Sequence, residues 1–473
     1  MRTGRWILLL TLPLLLPACG EGDDALVEGE GEGEGEGGKA DGAEGEGEGC
    51  TPDGDPGCPG PDWDREILAT RLAIDVAART GRATVTLAPT GGQATASASF
   101  EAAGLAIQAV RDEAGEDLPH VVADGSLHVD LTAQQSGPEP VPPVVVVDYA
   151  YALQDDAGAL ASGATLTWPY YCGNLFPCHS APADGLKLEL ALTGLAPGQV
   201  AVFPATIPAE APSYMLAWAV GDYVEVELGQ TSAGTTVSAW YRPEMEPDPT
   251  ASLSHLVAAF DWFETTLGPY AFGTKVGGVA ATWGPGALGG MEHHPFWHVA
   301  SGIFTDESVH IHEAAHGWFG DGVRIRCWED FVLSEGTVSY LEAVATEQVV
   351  GAAAGDAAWD GFARELDLAM AQSGPKVAWP EGCGEVDILE DGLFSSIPYM
   401  KGAFFLRAVE QRVGREALLG VLADFYAEQV GQAAGMADLL AAITASTGYD
   451  PTACAEQWLR QEPLPAVGEC PAP

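Results

Sequence analysis

Between about Asp62 and Trp240 the chain alternates apolar and polar positions. Arg82–Leu87 alternates in this way, as do Ala94–Phe100 and Ser126–Leu131, and Val144–Tyr149 is a β-branched run. Successive residues of a strand point to opposite faces, so the pattern predicts short strands with one face buried. Turn-forming clusters at Pro89–Gly92 and Glu113–Asp117 separate them, as in an all-β domain. Beyond about Arg242 the period lengthens. Ser252–Leu267, Asp306–Phe319, Glu335–Val350 and Lys401–Val413 carry apolar residues at helical spacing, and Gly277–Thr282 reads as a strand. Arg415–Leu459 is largely Ala/Leu helix. The expected fold class is α+β and multidomain: an all-β domain at 62–245, then a mainly helical α/β domain at 246–473.

The first residues obey a different pattern. Arg2 and Arg5 precede a short apolar run, Trp6–Leu16, and Leu16-Pro17-Ala18-Cys19 is similar to a bacterial lipobox with Cys19 as the acylated residue. Pro17 is uncommon at its position, which leaves ordinary secretory cleavage open. A membrane span needs about 20 apolar residues, and this run is shorter. Residues 1–19 are therefore expected to be a lipoprotein signal peptide. Gly20–Pro61 repeats Gly and Glu; glycine supplies flexibility and glutamate self-repulsion, so 20–61 is expected to be an extended tether. The expected location is outside the cytoplasm, lipid-anchored to the bacterial cell envelope. That anchor is the one membrane contact expected, since no second apolar run of spanning length follows.

Charge narrows the partners. The 473 residues hold 68 acidic and 20 basic side chains, a formal net charge of −48. Such a surface repels phosphate backbones, so no nucleic-acid partner is expected. An exported chain also makes the cysteines readable. Apart from Cys19 there are eight, which fall into neighbouring pairs Cys50/Cys58, Cys172/Cys178 and Cys454/Cys470, with Cys327 and Cys383 left over. None has CxxC spacing, so disulfides are favoured over sulfur-bound metal, with connectivity open.

The candidate chemistry lies at His312-Glu313-Ala314-Ala315-His316. Residues four apart share a helix face, so both imidazoles can reach one ion. Glu313 is turned toward the remaining coordination position, where a carboxylate can act as general base. Glu335 follows nineteen residues after His316, near the start of the next predicted helix, with Ser334 as a candidate N-cap. Two histidines and a glutamate with one open position form the donor set of a catalytic zinc site; one Zn2+ is expected.

Four separated blocks now resemble the membrane alanyl aminopeptidase family of gluzincin zinc metallopeptidases, which includes leukotriene hydrolases. They are Gly289-Gly290-Met291-Glu292-His293, His312–Asp321, Trp328–Glu335 and Tyr399-Met400-Lys401-Gly402-Ala403. The resemblance implies a saddle-like β domain, a thermolysin-like catalytic domain and peptide substrates. It implies His312, His316 and Glu335 as zinc ligands, Glu313 as base, and Tyr399 as donor to the developing oxyanion. It implies Glu292 as the anchor for the substrate α-amine, and a Gly289-Gly290-Met291 segment that the peptide joins as an added strand. The form implied is C-terminally short, with a more open cleft.

The chain departs from the family at His293, Asp321 and Ser334, which stand where the family has Asn. His294 and His298 are read with His293 as packing residues. Upstream of Phe176, where the family commonly holds the amine with a second polar or acidic residue, Thr167–Leu175 has no carboxylate; its aromatic residues could attract a cation instead. The resulting expectation is an aminopeptidase. The alternatives are an endopeptidase of relaxed specificity and a catalytically silent binding or adhesion lipoprotein on a peptidase scaffold.

Overall fold

The alternating segments become strands whose apolar residues all turn one way. Ala83, Val85 and Leu87 are buried in Thr80–Leu87, as are Val145, Val147, Tyr149 and Tyr151 in Val144–Tyr151. In the computed structural model, which describes residues 60–89, 96–134, 141–245, 249–283, 289–462, 464–466, 469 and 470, these strands belong to a six-stranded sheet. Its strands are β1 (Ile67–Asp75), β2 (Thr80–Leu87), β3 (Leu105–Arg111), β4 (Val144–Tyr151), β5 (Leu186–Thr193) and β6 (Thr206–Ala211), in the order β6-β5-β1-β2-β4-β3. The β1–β5 pair is parallel and the rest antiparallel. The core beneath includes Phe100, Phe176, Leu188 and Trp218. The signal-like segment with Cys19, the tether and the Cys50/Cys58 pair lie outside the described residues.

A second sheet contains β7 (Val224–Gln230), β8 (Thr236–Tyr241), β9 (Lys275–Ala281), β10 (Gly290–Met291) and β11 (His298–Ala300), ordered β7-β8-β9-β11-β10. Here β7 and β8, which lie before the expected boundary at residue 245, pair into the sheet of the second half, β8 running parallel to β9. Period-two alternation identifies a strand but not its partner, which is why the periodicity could not place this division. The two-residue β10 forms the edge of the sheet.

The helices around this sheet are α1 (Leu256–Leu267), α2 (Glu307–Ala315), α3 (Phe331–Val349), α4 (Ala352–Ala371), α5 (Ser396–Val413), α6 (Arg415–Gln429) and α7 (Met436–Thr447). Asp306 caps α2 by accepting from the Ser308 N–H at 3.2 Å. Helix α3 begins at Phe331, so Ser334 is inside it and is not its N-cap; Asp330 takes the cap position. Helix α5 likewise begins earlier than its periodicity predicts and contains Tyr399. The pattern missed α4, a helix that buries Trp359, Phe362, Leu366 and Ala369 but carries Gly355 and Gly361 in its interior. Glycine weakens a helical pattern, and packing overrides it: a Cβ at Gly355 would collide with Glu347 on α3.

Disulfides join Cys172 to Cys178, Cys327 to Cys383 and Cys454 to Cys470. The bridge from Cys327 closes a loop across a sequence separation of 56 and ties the chain before α3 to the chain before α5. Among the described residues no helix is long and apolar enough to cross a membrane.

Buried histidines make this fold sensitive to acid. Burial holds the His294 imidazole down at about 3 and that of His298 at about 4, against about 6.5 in an unfolded chain. Between those values the unfolded chain binds protons that the folded chain refuses, so stability rises with pH. It is complete above about pH 6.5 and falls toward pH 4, each histidine costing about 2 kcal/mol by pH 5. Because buried carboxyls with raised values such as Glu313 act in the opposite direction, the histidine contribution is read against a variant: relative to His298→Gln, the wild-type urea midpoint should fall between about pH 7.5 and 5. An identical pH dependence in the two proteins would contradict neutral burial of the His298 ring.

Candidate functional site

Helix α2 packs against α3, and this contact brings three donors together. Glu335 Oε2 lies 3.2 Å from His312 Nε2 and 3.4 Å from His316 Nε2. Donors held 2.0–2.1 Å from one tetrahedral zinc stand about 3.3 Å apart, and both distances from Glu335 match that spacing, so the triad suits the ion. The opposite ring nitrogens are also held. His312 Nδ1 faces Glu342 Oε2 at 3.2 Å, and His316 Nδ1 donates to the Phe319 carbonyl at 3.0 Å. A proton on each Nδ1 leaves each Nε2 lone pair directed into the site. Glu342 was not among the residues singled out from the sequence. Its position, seven residues after Glu335 and two turns along the same helix face, is the signal that could have found it.

Glu313 is buried on α2 beside the edge strand β10. Its carboxylate fills the space a Cβ would need at Gly290, which explains why a side chain is missing there. Met291 is buried in the apolar core, so the segment presents backbone to the cleft while its side chain anchors it. The Gly289 carbonyl accepts from the Ala300 N–H at 2.9 Å, and Gly290 pairs with Val299 on the inner side. Glu292 follows, buried, with a carboxylate atom within 4.8 Å of donors on Glu313 and His316.

Tyr399 reaches the site because α3 and α5 cross in close contact. A Cβ on Gly336 or on Gly402 would strike the other's backbone, so only glycine permits this approach. The Tyr399 ring stacks on His312 at 5.9 Å and meets Phe331 edge-on at 5.8 Å, with its phenol beside Glu335. Lys401 points away from the cleft, and its ammonium donates to the carbonyls of Lys376 and Gln461.

Charges in the cluster oppose one another. Burial disfavours the Glu335 carboxylate, yet the two imidazoles outweigh it and hold the group at about 2. Burial dominates at Glu313, which is pushed up to about 8 against the pull of His312 and His316. Burial also raises Glu292, Tyr399 and Asp321, the last of these with both carboxyl oxygens unpartnered.

The three added histidines are packed inside. His294 bridges the Tyr270 hydroxyl at 2.6 Å and the Glu313 carbonyl at 2.8 Å, holding the α2 backbone at Glu313 from behind. His293 and His298 meet edge to face at 5.0 Å. Two of the aromatic residues upstream of Phe176 make contacts within the protein. Trp168 is 5 % exposed and packs against Phe394, Phe331 and Trp328 at 4.9, 6.0 and 6.1 Å. The Tyr170 hydroxyl accepts from Ile388 N–H. Tyr214, which no sequence pattern marked, is a buried residue near Glu292, with its carbonyl accepting from the Thr167 hydroxyl at 3.2 Å.

Residues 301–458 match the peptidase family M1 domain, in line with the resemblance to the alanyl aminopeptidase family. A leucine aminopeptidase 2-1 from Meyerozyma guilliermondii is 27% identical over 275 residues, covering 51% of this chain and 41% of the relative. A leukotriene A-4 hydrolase from Xenopus laevis is 25% identical over 283 residues, covering 54% and 45%. The chain thus spans less than half the length of these relatives. The solved M1 zinc metallopeptidase from Deinococcus radiodurans shares the fold with a TM-score of 0.71 at 18% identity, over 86% of this chain and 96% of that one.

Two substitutions probe the site. Glu342→Ala removes the carboxylate behind His312 and should weaken zinc binding about 10–100-fold in a chelator competition; unchanged affinity would remove Glu342 from the site. Gly290→Ala should displace the Glu313 carboxylate, lowering turnover while bound zinc, measured by elemental analysis, stays equimolar. Wild-type turnover in that variant would show that the close approach is not needed.

Proposed function

We propose that this protein is a zinc aminopeptidase that releases N-terminal residues from peptides outside the cytoplasm. The observation that carries this reading is the three-donor cluster of His312, His316 and Glu335, with Glu313 and Glu292 gathered beside His316 and the edge strand β10 against Glu313. Zinc, when bound, supplies a Lewis acid that polarises the scissile carbonyl and makes water a better nucleophile. The free edge of β10 aligns the extended peptide through backbone hydrogen bonds. Glu292 receives the substrate α-ammonium and so places the first peptide bond, and not an interior one, opposite Glu313. Glu313 takes a proton from the attacking water at its carboxylate and passes it to the leaving nitrogen. Tyr399 donates a hydrogen bond from its phenol to the carbonyl oxygen as negative charge develops there, and keeps its proton.

Three disulfides support an oxidising compartment. The lipobox-like segment and Gly/Glu tether support a lipid anchor at Cys19. One specific observation favours broader cleavage: Trp168, packed among other rings, leaves the amine to Glu292 without a second carboxylate from the upstream segment.

The decisive assay compares free and N-acetylated peptides with and without chelator. Rapid cleavage of the free peptide alone, abolished by chelation, is expected; equal rates on both would replace the aminopeptidase by an endopeptidase. Glu313→Ala should lower turnover at least about 100-fold with zinc retained, and undiminished turnover would remove its role as base.

A further inference from the structure

A charged side chain lies in the core behind the cleft. Lys401 is completely buried on α5, and burial pushes its ammonium down to about 8. Its acceptors are two backbone carbonyls, that of Lys376 and, at 3.3 Å, that of Gln461. The segments that supply them are also bonded to each other: the N–H groups of Ala378 and Trp379 donate to the Leu459 carbonyl at 2.7 and 3.3 Å. Lys376 is fastened in turn to the end of α4, where its ammonium donates to the carbonyls of Ala369 and Gln372. Taking an ammonium out of water is unfavourable unless other acceptors replace the water. Here those acceptors are backbone groups that cannot move independently.

Helix α5 lies between this layer and the zinc site. Residues two apart on a helix point about 200° apart. Lys401 thus faces the 376–379 and 459–461 segments, while the Tyr399 ring stacks on His312 at 5.9 Å. On the α3 side the fit is already tight: a Cβ at Gly402 would come within 2.5 Å of the Gly336 Cα and 2.8 Å of the Val332 side chain. Backbone contact therefore holds one flank of α5, and the buried ammonium holds another. A slide or rotation of α5 would carry Tyr399 with it, and a hydrogen-bond donor to a developing charge has to be placed within about 0.5 Å.

We propose that Lys401 is a positioning residue for the oxyanion donor: it fastens the outer face of α5 to the 376–379 and 459–461 segments and so fixes the Tyr399 phenol at the zinc site. The proposal rests on the role given to Tyr399 above. Lys401 faces away from the cleft and acts only through the helix it shares with Tyr399. Hydrogen bonds from an ammonium are charge-assisted, and losing them leaves two carbonyls unsatisfied along that face of α5.

Affinities separate this role from general packing. Zinc-loaded full-length protein is titrated calorimetrically with 1-amino-3-methylbutylphosphonic acid, whose tetrahedral phosphonate resembles the intermediate, and with 3-methylbutylamine, which lacks that group. The ratio of the two affinities reports contacts at the oxyanion position without turnover. Tyr399→Phe should lower the ratio about 100-fold. Lys401→Met, which keeps the length and loses the donors, should lower it about tenfold, with the affinity for the amine unchanged. In the Tyr399→Phe background Lys401→Met should cause no further fall, because both act through one phenol. An unchanged ratio in Lys401→Met overturns the proposal. So does an equal fall in the Tyr399→Phe background, which would mark a merely loosened core. A wild-type ratio in Tyr399→Phe overturns the oxyanion-donor reading and this proposal with it, leaving the zinc ligands untouched. If Lys401→Met does not fold, Lys401→Gln, which keeps an N–H donor on a shorter side chain, should lower the ratio in the same direction. An unchanged ratio in that variant overturns the proposal as well.

Discussion

The packing of α2 on α3 holds Glu335 between two imidazoles, and every other feature of the site is arranged around that contact. A carboxylate removed from water is unfavourable unless paired, and here two partners sit at 3.2 and 3.4 Å. Their distances match a tetrahedral ion, so the same contact that satisfies the buried charge also prepares a metal site. Glu342 and the Phe319 carbonyl secure the rings from the outside, which fixes both tautomers. The ionic contact is thus a cluster with a preferred geometry, not a single pair.

Close backbone approach sets the second level of organisation. Gly336 and Gly402 allow α3 and α5 to touch, and Tyr399, one turn from that crossing, gains access to Glu335 and His312. Gly290 lets the edge strand lie against Glu313. At Gly336 and Gly402 a side chain is excluded by the facing backbone and Val332, and at Gly290 by the Glu313 carboxylate. On the far side, Thr167 donates to the Tyr214 carbonyl and Trp168 packs against Phe331 of α3, so the first half of the chain is in contact with the helix that carries Glu335. Strands β7 and β8 cross between the two halves.

Much of this was legible in the linear chain. His312, Glu313 and His316 share one helix, where spacing alone dictates which side chains converge. Helices with unbroken apolar periodicity and strands with clear alternation were legible for the same reason, while α4, interrupted by glycines, was not. The ends of α2, α3 and α5 shifted by a few residues, because helix termini depend on caps and on neighbours more than on periodicity. Asp330, for example, uses its carboxylate to accept from the Met436 N–H, more than a hundred residues away.

The sequence by itself determined the local chemistry: a two-histidine helix, a glutamate one helix later, cysteines that pair, and an acidic chain with a signal-like start. Only the tertiary structure decided which groups meet across the chain. Glu342 behind His312, Tyr214 beside Glu292, His294 under Glu313 and the Gly336–Gly402 crossing are long-range or through-space relations. Periodicity records which face of an element is buried, but not what it is buried against. That choice is made by packing, and packing gathered a recognisable ligand pattern into one buried cluster of His312, His316, Glu335, Glu313 and Glu292.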